Sequence, residues 1–245
     1  MNPKASFGVH ILRFAGLFNL PIPLRYAFVI GVSQQKRGSL HYPIVPPFED
    51  ALPVMKLLIR GGSIAAGHSV TESYADILTQ SLLTKGIEVI NRSRYQENSF
   101  DGIGTFNEDI GDFAPDILLI QFGVDDAFGY VYRSEFQENI VQMVRLARLR
   151  FNPAIFLATS QTFDDPYEMD AVNIYYRSLS IVATELGCEL IPVHSYWAGY
   201  LVEQNLQSKD LVLSDSRYPN ESGHQVMAKA IIKYLGRCKL ILTNC

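Results

Sequence analysis

Several residues able to do chemistry stand just past short apolar runs. Ser63 follows "MKLLIRGG", Asp125 and Asp126 follow "LLIQFGV", and His194 follows "ELIPV". "DSRYPN" (215–220) sets an aspartate three residues before a tyrosine, with Pro219 and Asn220 opening a helical pattern. A serine hydroxyl is a weak nucleophile until a neighbouring base takes its proton. Of the five histidines, His10, His41, His68, His194 and His224, His194 is the best-placed substitute base, because it closes the fifth strand-like run. A helix running on from Ser63 turns His68 to another side, and His224, one turn into the last helix, reads as a packing residue. Asp125, Asp126, Asp164, Asp165 and Asp215 together suggest a hard-cation site. Their spacing fits no metal motif, and aspartates ahead of helices serve as caps, so no metal and no cofactor is expected. "GGSIAAG" does not place glycines at G-x-G-x-x-G, and the second strand ends in Asn91 rather than an acidic residue, against a dinucleotide site.

These residues need a scaffold that brings strand ends together. Five short apolar runs read as strands: "MKLLIRG" (55–61), "IEVIN" (87–91), "PDILLIQFG" (115–123), "PAIFLAT" (153–159) and "CELIPV" (188–193). Between them lie helical patterns over 63–86, 134–150, 169–187 and 220–236, with an irregular stretch after Asn91. Ser134, with Gln137 three residues on, predicts a capping box for the second of these. Continuous apolar strands alternating with helices predict a parallel sheet covered on both faces. Ligands of such sheets meet the loops at the carboxyl ends of the strands, where the residues above fall.

Three of these loops resemble blocks of the SGNH, or GDSL-type, hydrolase family over roughly residues 55–236. "IRGGSIAAG" resembles the first block, "QFGVDDA" the third and "DSRYPN" the last, and "VINRS" is similar to the second. The resemblance implies a three-layer flavodoxin-like α/β fold with a five-stranded parallel sheet. It casts Ser63 as nucleophile, Asp215 as the carboxylate that orients the base, and the backbone N–H groups of Ser63 and Ser93 as oxyanion donors, with Gly123 opening the third block. Three positions depart from the family pattern. Tyr218 occupies the histidine position, Asp125 the oxyanion asparagine position, and Gly62 that of the aspartate before the serine. A phenol with pKa near 10 is ionised in only about one part in a thousand at neutral pH. An ionised carboxylate offers an oxyanion no donor, and losing one such donor typically slows acyl transfer about 10²–10³-fold. The expectation is a hydrolase-like protein of low or no esterase activity acting as a binding or structural subunit. The alternative is an active serine hydrolase of small acyl or acetyl esters in which His194 serves Ser63.

Bulk composition sets the remaining bounds. With 48% hydrophobic and 19% charged residues, the 245-residue chain can bury a large core. A net charge of −4 gives no electrostatic case for nucleic acid. Cys188, Cys238 and Cys245 lack metal-ligand spacing, and reduced thiols in a cytoplasmic-type compartment are expected. Residues 1–53 form an expected extension and linker, 54–236 the hydrolase-like domain and 237–245 a tail. In the extension Phe7, Ile11, Phe14 and Phe18 make one apolar stripe at helical spacing. His10, Arg13 and Arg25 interrupt it, so neither a membrane span nor a signal peptide is predicted. Such an arm suits its own domain, a protein partner or a membrane surface, the last two placing the protein at the periphery of a membrane or complex. Tyrosines near the strand ends suit a sugar or acyl ligand and equally suit core packing.

Overall fold

The computed structural model describes residues 54–111 and 113–237. The predicted N-terminal arm, the linker, and Cys238 and Cys245 lie outside the described residues. Five parallel strands, β1 (Met55–Gly61), β2 (Ile87–Asn91), β3 (Ile117–Gln121), β4 (Ala154–Ala158) and β5 (Glu189–Ile191), pair in the order β2-β1-β3-β4-β5. Among the described residues seven α-helices accompany them: α1 (Tyr74–Leu83), α2 (Ser99–Ile110), α3 (Val124–Phe128), α4 (Arg133–Arg150), α5 (Pro166–Leu186), α6 (Val193–Gln204) and α7 (Glu221–Leu235).

Strand alternation divides the core into two layers. Leu57, Ile59, Ile117 and Leu119 point to the side covered by α1, α6 and α7. Leu58, Leu118, Ile120 and Leu157 point to the side covered by α2, α4 and α5. β3 is buried along its whole length, as the central strand of a doubly covered sheet must be. The chain reverses direction across the sheet between β1 and β3, and the crevice outside that switch point is where such folds bind ligands. Gly61 permits the close approach there: a Cβ on it would lie 2.3 Å from the Gln121 carbonyl oxygen.

The structure corrects the predicted elements in four places. The helix predicted from Ser63 begins only at Tyr74, capped by Ser73 and Asp76; residues 64–69 are turns, with Gly67 and Ser69 at φ 75° and 58°. α2 fills the stretch read as irregular. Its sequence "SFDGIGTFNEDI" carries two glycines that weaken helix propensity, and Asn98, which caps Phe100 and Asp101 N–H, compensates at its start. α4 begins at Arg133 after Tyr132, without a side-chain cap, so Ser134 is already inside the helix. His194 is not at the end of a strand, because β5 stops at Ile191 and α6 starts at Val193.

Candidate active site

Ser63, fully buried, is held by three hydrogen bonds. Its hydroxyl donates to Asp125 Oδ1 at 2.6 Å, its N–H donates to Asp125 Oδ2 at 2.8 Å, and its oxygen accepts the Gln96 N–H at 2.9 Å. The Asp125 carboxylate therefore lies against the N–H that the sequence comparison casts as an oxyanion donor. A Cβ on Gly62 would fall 2.1 Å from Asp125 Oδ2. Glycine before the serine and aspartate after β3 thus fit one another: the carboxylate occupies space that any side chain at 62 would need. Burial pushes the Asp125 carboxyl above the usual aspartate range, while the two bonds from Ser63 work in the opposite direction.

Tyr218 sits beside the Ser63 side chain. Burial and then the Asp125 charge raise its phenol above the ordinary value, with the Ser63 contact opposing them. Asp215, cast as the orienting carboxylate, is turned elsewhere. It accepts Arg217 Nε at 2.9 Å and Arg217 Nη2 at 2.6 Å, and that pairing holds it below the usual carboxylate range. The Arg217 guanidinium also lies over the rings of Phe128 and Tyr218, 5.2 and 5.8 Å from their centroids.

The imidazoles are placed differently from the expectation. His194 Nδ1 is 2.8 Å from Thr159 Oγ1, its ring stacks on Tyr176, and burial lowers its pKa. It is not a hydrogen-bond partner of Ser63. The turns after Ser63 instead bring His68 to the site, where it stacks on Tyr95 at 4.2 Å and meets the Tyr218 ring edge-on at 4.7 Å. The sequence assigned His68 away from the site because it assigned a helix to 64–70. His224 is buried and accepts the Tyr74 N–H at 3.1 Å, a packing and capping role.

The remaining candidates also have local duties. Ser93 N–H is taken by Asn91 Oδ1 at 3.0 Å, and it is Gln96, in a left-handed conformation (φ 58°), whose N–H reaches Ser63. Gly123, at φ 128°, donates its N–H to Asp126 Oδ2 at 2.9 Å, and Ser99 N–H donates to Asp126 Oδ1 at 2.8 Å, tying the β3 loop to the start of α2. Burial raises the Asp126 carboxyl to about 6. Asp165 caps α5. Among the described residues no group of three or more His, Cys, Asp or Glu side chains is placed to hold a metal ion.

A buried ionic cluster supports the Gln96 loop, and sequence reasoning missed it. Arg60, on β1 with no exposed surface, donates to both Glu97 oxygens and, at 2.8 Å, to Asp109 and Thr105. Arg94 adds bonds to Asp109 and Glu97. Arg60, a second charge beyond Lys56 in the otherwise apolar run "MKLLIRG", was the available signal. Next to the serine, Gln96, Asn98, Val124, Asp125, Phe128 and the pair Arg217–Tyr218 line a cavity of about 220 Å³.

Fold, switch-point location and an invaginated serine together define a serine-hydrolase scaffold. The chain belongs to the GDSL-like lipase/acylhydrolase family, whose model matches residues 60–226. It is 20% identical over 188 residues to an arylesterase of Vibrio mimicus, covering 74% of this chain and 90% of that protein. Among solved structures it is similar to a catalytic mutant of Axe2, an acetylxylan esterase from Geobacillus stearothermophilus. That likeness has a TM-score of 0.66 at 20% identity and covers 74% of this chain and 94% of the other. TesA aligns with a TM-score of 0.64 at 18% identity, covering 76% and 99%. At such identities the structural likenesses establish the fold and nothing finer.

Proposed function

We propose that this chain is a family member that binds a ligand on the esterase scaffold without hydrolysing it efficiently. The observation that carries the reading is the double hydrogen bond between Ser63 and the Asp125 carboxylate. An acyl substrate would have to place its carbonyl oxygen near Ser63 N–H, where a carboxylate already accepts that proton and repels developing negative charge. The hydroxyl's other close neighbour, the Tyr218 phenol, has its pKa raised and stays protonated, so it is a poor acceptor. Asp125 is itself the acceptor of the serine proton, yet a base there spends the site's oxyanion donor on its own second oxygen. A relocated base at His194 finds no support in its contacts with Thr159 and Tyr176.

Hydrolysis of p-nitrophenyl acetate by the full chain and by Ser63→Ala tests the proposal. The two proteins are expected to give the same slow background. Turnover at ordinary esterase rates that vanishes in Ser63→Ala would sink it.

A further inference from the structure

Among the described residues, five large aromatic side chains stand exposed: Tyr95, Phe100, Tyr130, Tyr132 and Tyr167. All five lie in segments that follow β2, β3 or β4, at the carboxyl edge of the sheet, while the exposed aliphatic side chains are dispersed over the helices and the start of β1. Tyr130 is 92% exposed and Tyr167 86%, so packing within this domain does not account for them. Two of these aromatics are presented by left-handed backbone: Tyr130 itself has φ 58°, and Gln96, next to Tyr95, has φ 58°. Gln96, Asn98, Phe128 and Gly129, which line the cavity of about 220 Å³ beside Asp125, belong to the same loops.

We propose that this rim is a platform for a neutral oligosaccharide, one pyranose ring of which enters the cavity. The proposal rests on the binding role argued above and names its ligand class. Pyranose rings offer an apolar C–H face to aromatic rings and a circle of hydroxyls to polar groups, and tyrosine meets both needs with little side-chain entropy. The cavity supplies as polar partners the side-chain amide of Gln96 and the NH2 of Asn98, whose Oδ1 caps α2. It is smaller than the ~300 Å³ at which pockets for drug-sized ligands begin, which suits one ring rather than a whole chain. An anionic ligand would find the Arg217 guanidinium already paired with both oxygens of Asp215. A bilayer of anionic lipids is disfavoured by the chain's net charge of −4.

Isothermal titration of the full chain with cellohexaose, xylohexaose, chitohexaose and maltohexaose tests this. None of these probes carries an ester, so binding is read whether or not Ser63 turns over any substrate; failure of the non-hydrolytic reading would show separately, as Ser63-dependent hydrolysis of p-nitrophenyl acetate. At least one probe is expected to bind in the micromolar to millimolar range. The double substitution Tyr130→Ala with Tyr167→Ala should weaken that binding about tenfold with an unchanged melting temperature, since two stacking contacts contribute roughly 0.5–1.5 kcal/mol each. Leu149→Ala, on the exposed face of α4, should leave affinity unchanged. No binding of any of the four at millimolar concentration, or equal affinity for the tyrosine variant, overturns the proposal. So does tyrosine-dependent binding to phosphatidylglycerol vesicles without sugar binding.

Discussion

The Ser63 hydroxyl donates one hydrogen bond and accepts another, both inside the protein. Removing a nucleophile from a working enzyme commonly stabilises it, because active sites retain strained or unpaired polar groups. Here Ser63→Ala should do the reverse. It leaves Asp125 Oδ1 and the Gln96 N–H without their hydroxyl partner, while Asp125 Oδ2 keeps the backbone N–H of residue 63, a loss of about 1–3 kcal/mol, measured as a lower urea midpoint. The same geometry says what would restore chemistry. Neither Asp125→Asn nor Tyr218→His alone supplies both a donor and a base. The pair together should hydrolyse p-nitrophenyl acetate at least about a hundredfold faster than either single variant, the scale of one recovered oxyanion donor. Freeing Asp215 by Arg217→Ala should add to this. The resemblance put Tyr218, Asp125 and Gly62 at the three positions that depart from the family pattern. It could not show where the Asp125 carboxylate points, because that depends on the space left above Gly62, a tertiary contact between two loops.

Between elements, two buried titratable groups join parts of the fold and act in opposite senses. Asp126 links the β3 loop to α2, and burial raises its carboxyl from 3.8 to about 6. The folded state then holds a proton that the unfolded chain releases, so this group lowers stability as pH rises from about 4 to about 6. His224 links α7 to the first N–H of α1, and burial lowers its pKa from 6.5 to about 4. The unfolded chain takes up that proton first, so this group raises stability as pH climbs from about 4 to about 6.5. The two contributions offset each other in the native protein. Asp126→Asn should therefore steepen the loss of stability toward pH 4, and His224→Gln should flatten or invert it, both followed by urea midpoints across that range. These links were hard to read from sequence for a plain reason. α1, α5 and α7 announce themselves by periodic apolar residues, whereas the face that α2 buries is made partly of Ser99, Gly102 and Asp109, and α6 starts immediately after Pro192, so neither reads as an apolar stripe in sequence.

At the scale of the molecule, all five strands and their parallel arrangement were legible, because buried strands must be continuously apolar and helices must alternate with them. The same argument points to the strand ends at the switch point between β1 and β3 as the place of the candidate site. The contents of the rim did not follow, because exposed tyrosines and core tyrosines look alike in sequence. Tyr175 and Tyr176 are buried, while Tyr130, Tyr132 and Tyr167 face solvent.

The division of the interior into two apolar layers beneath that rim has an evolutionary consequence. The layers are built mainly from strand and helix residues, so exposed loop side chains above them can change without touching the apolar packing. A lineage can thus shed a reaction, retain a well-folded body, and acquire a new vocation through a handful of changes at its crown.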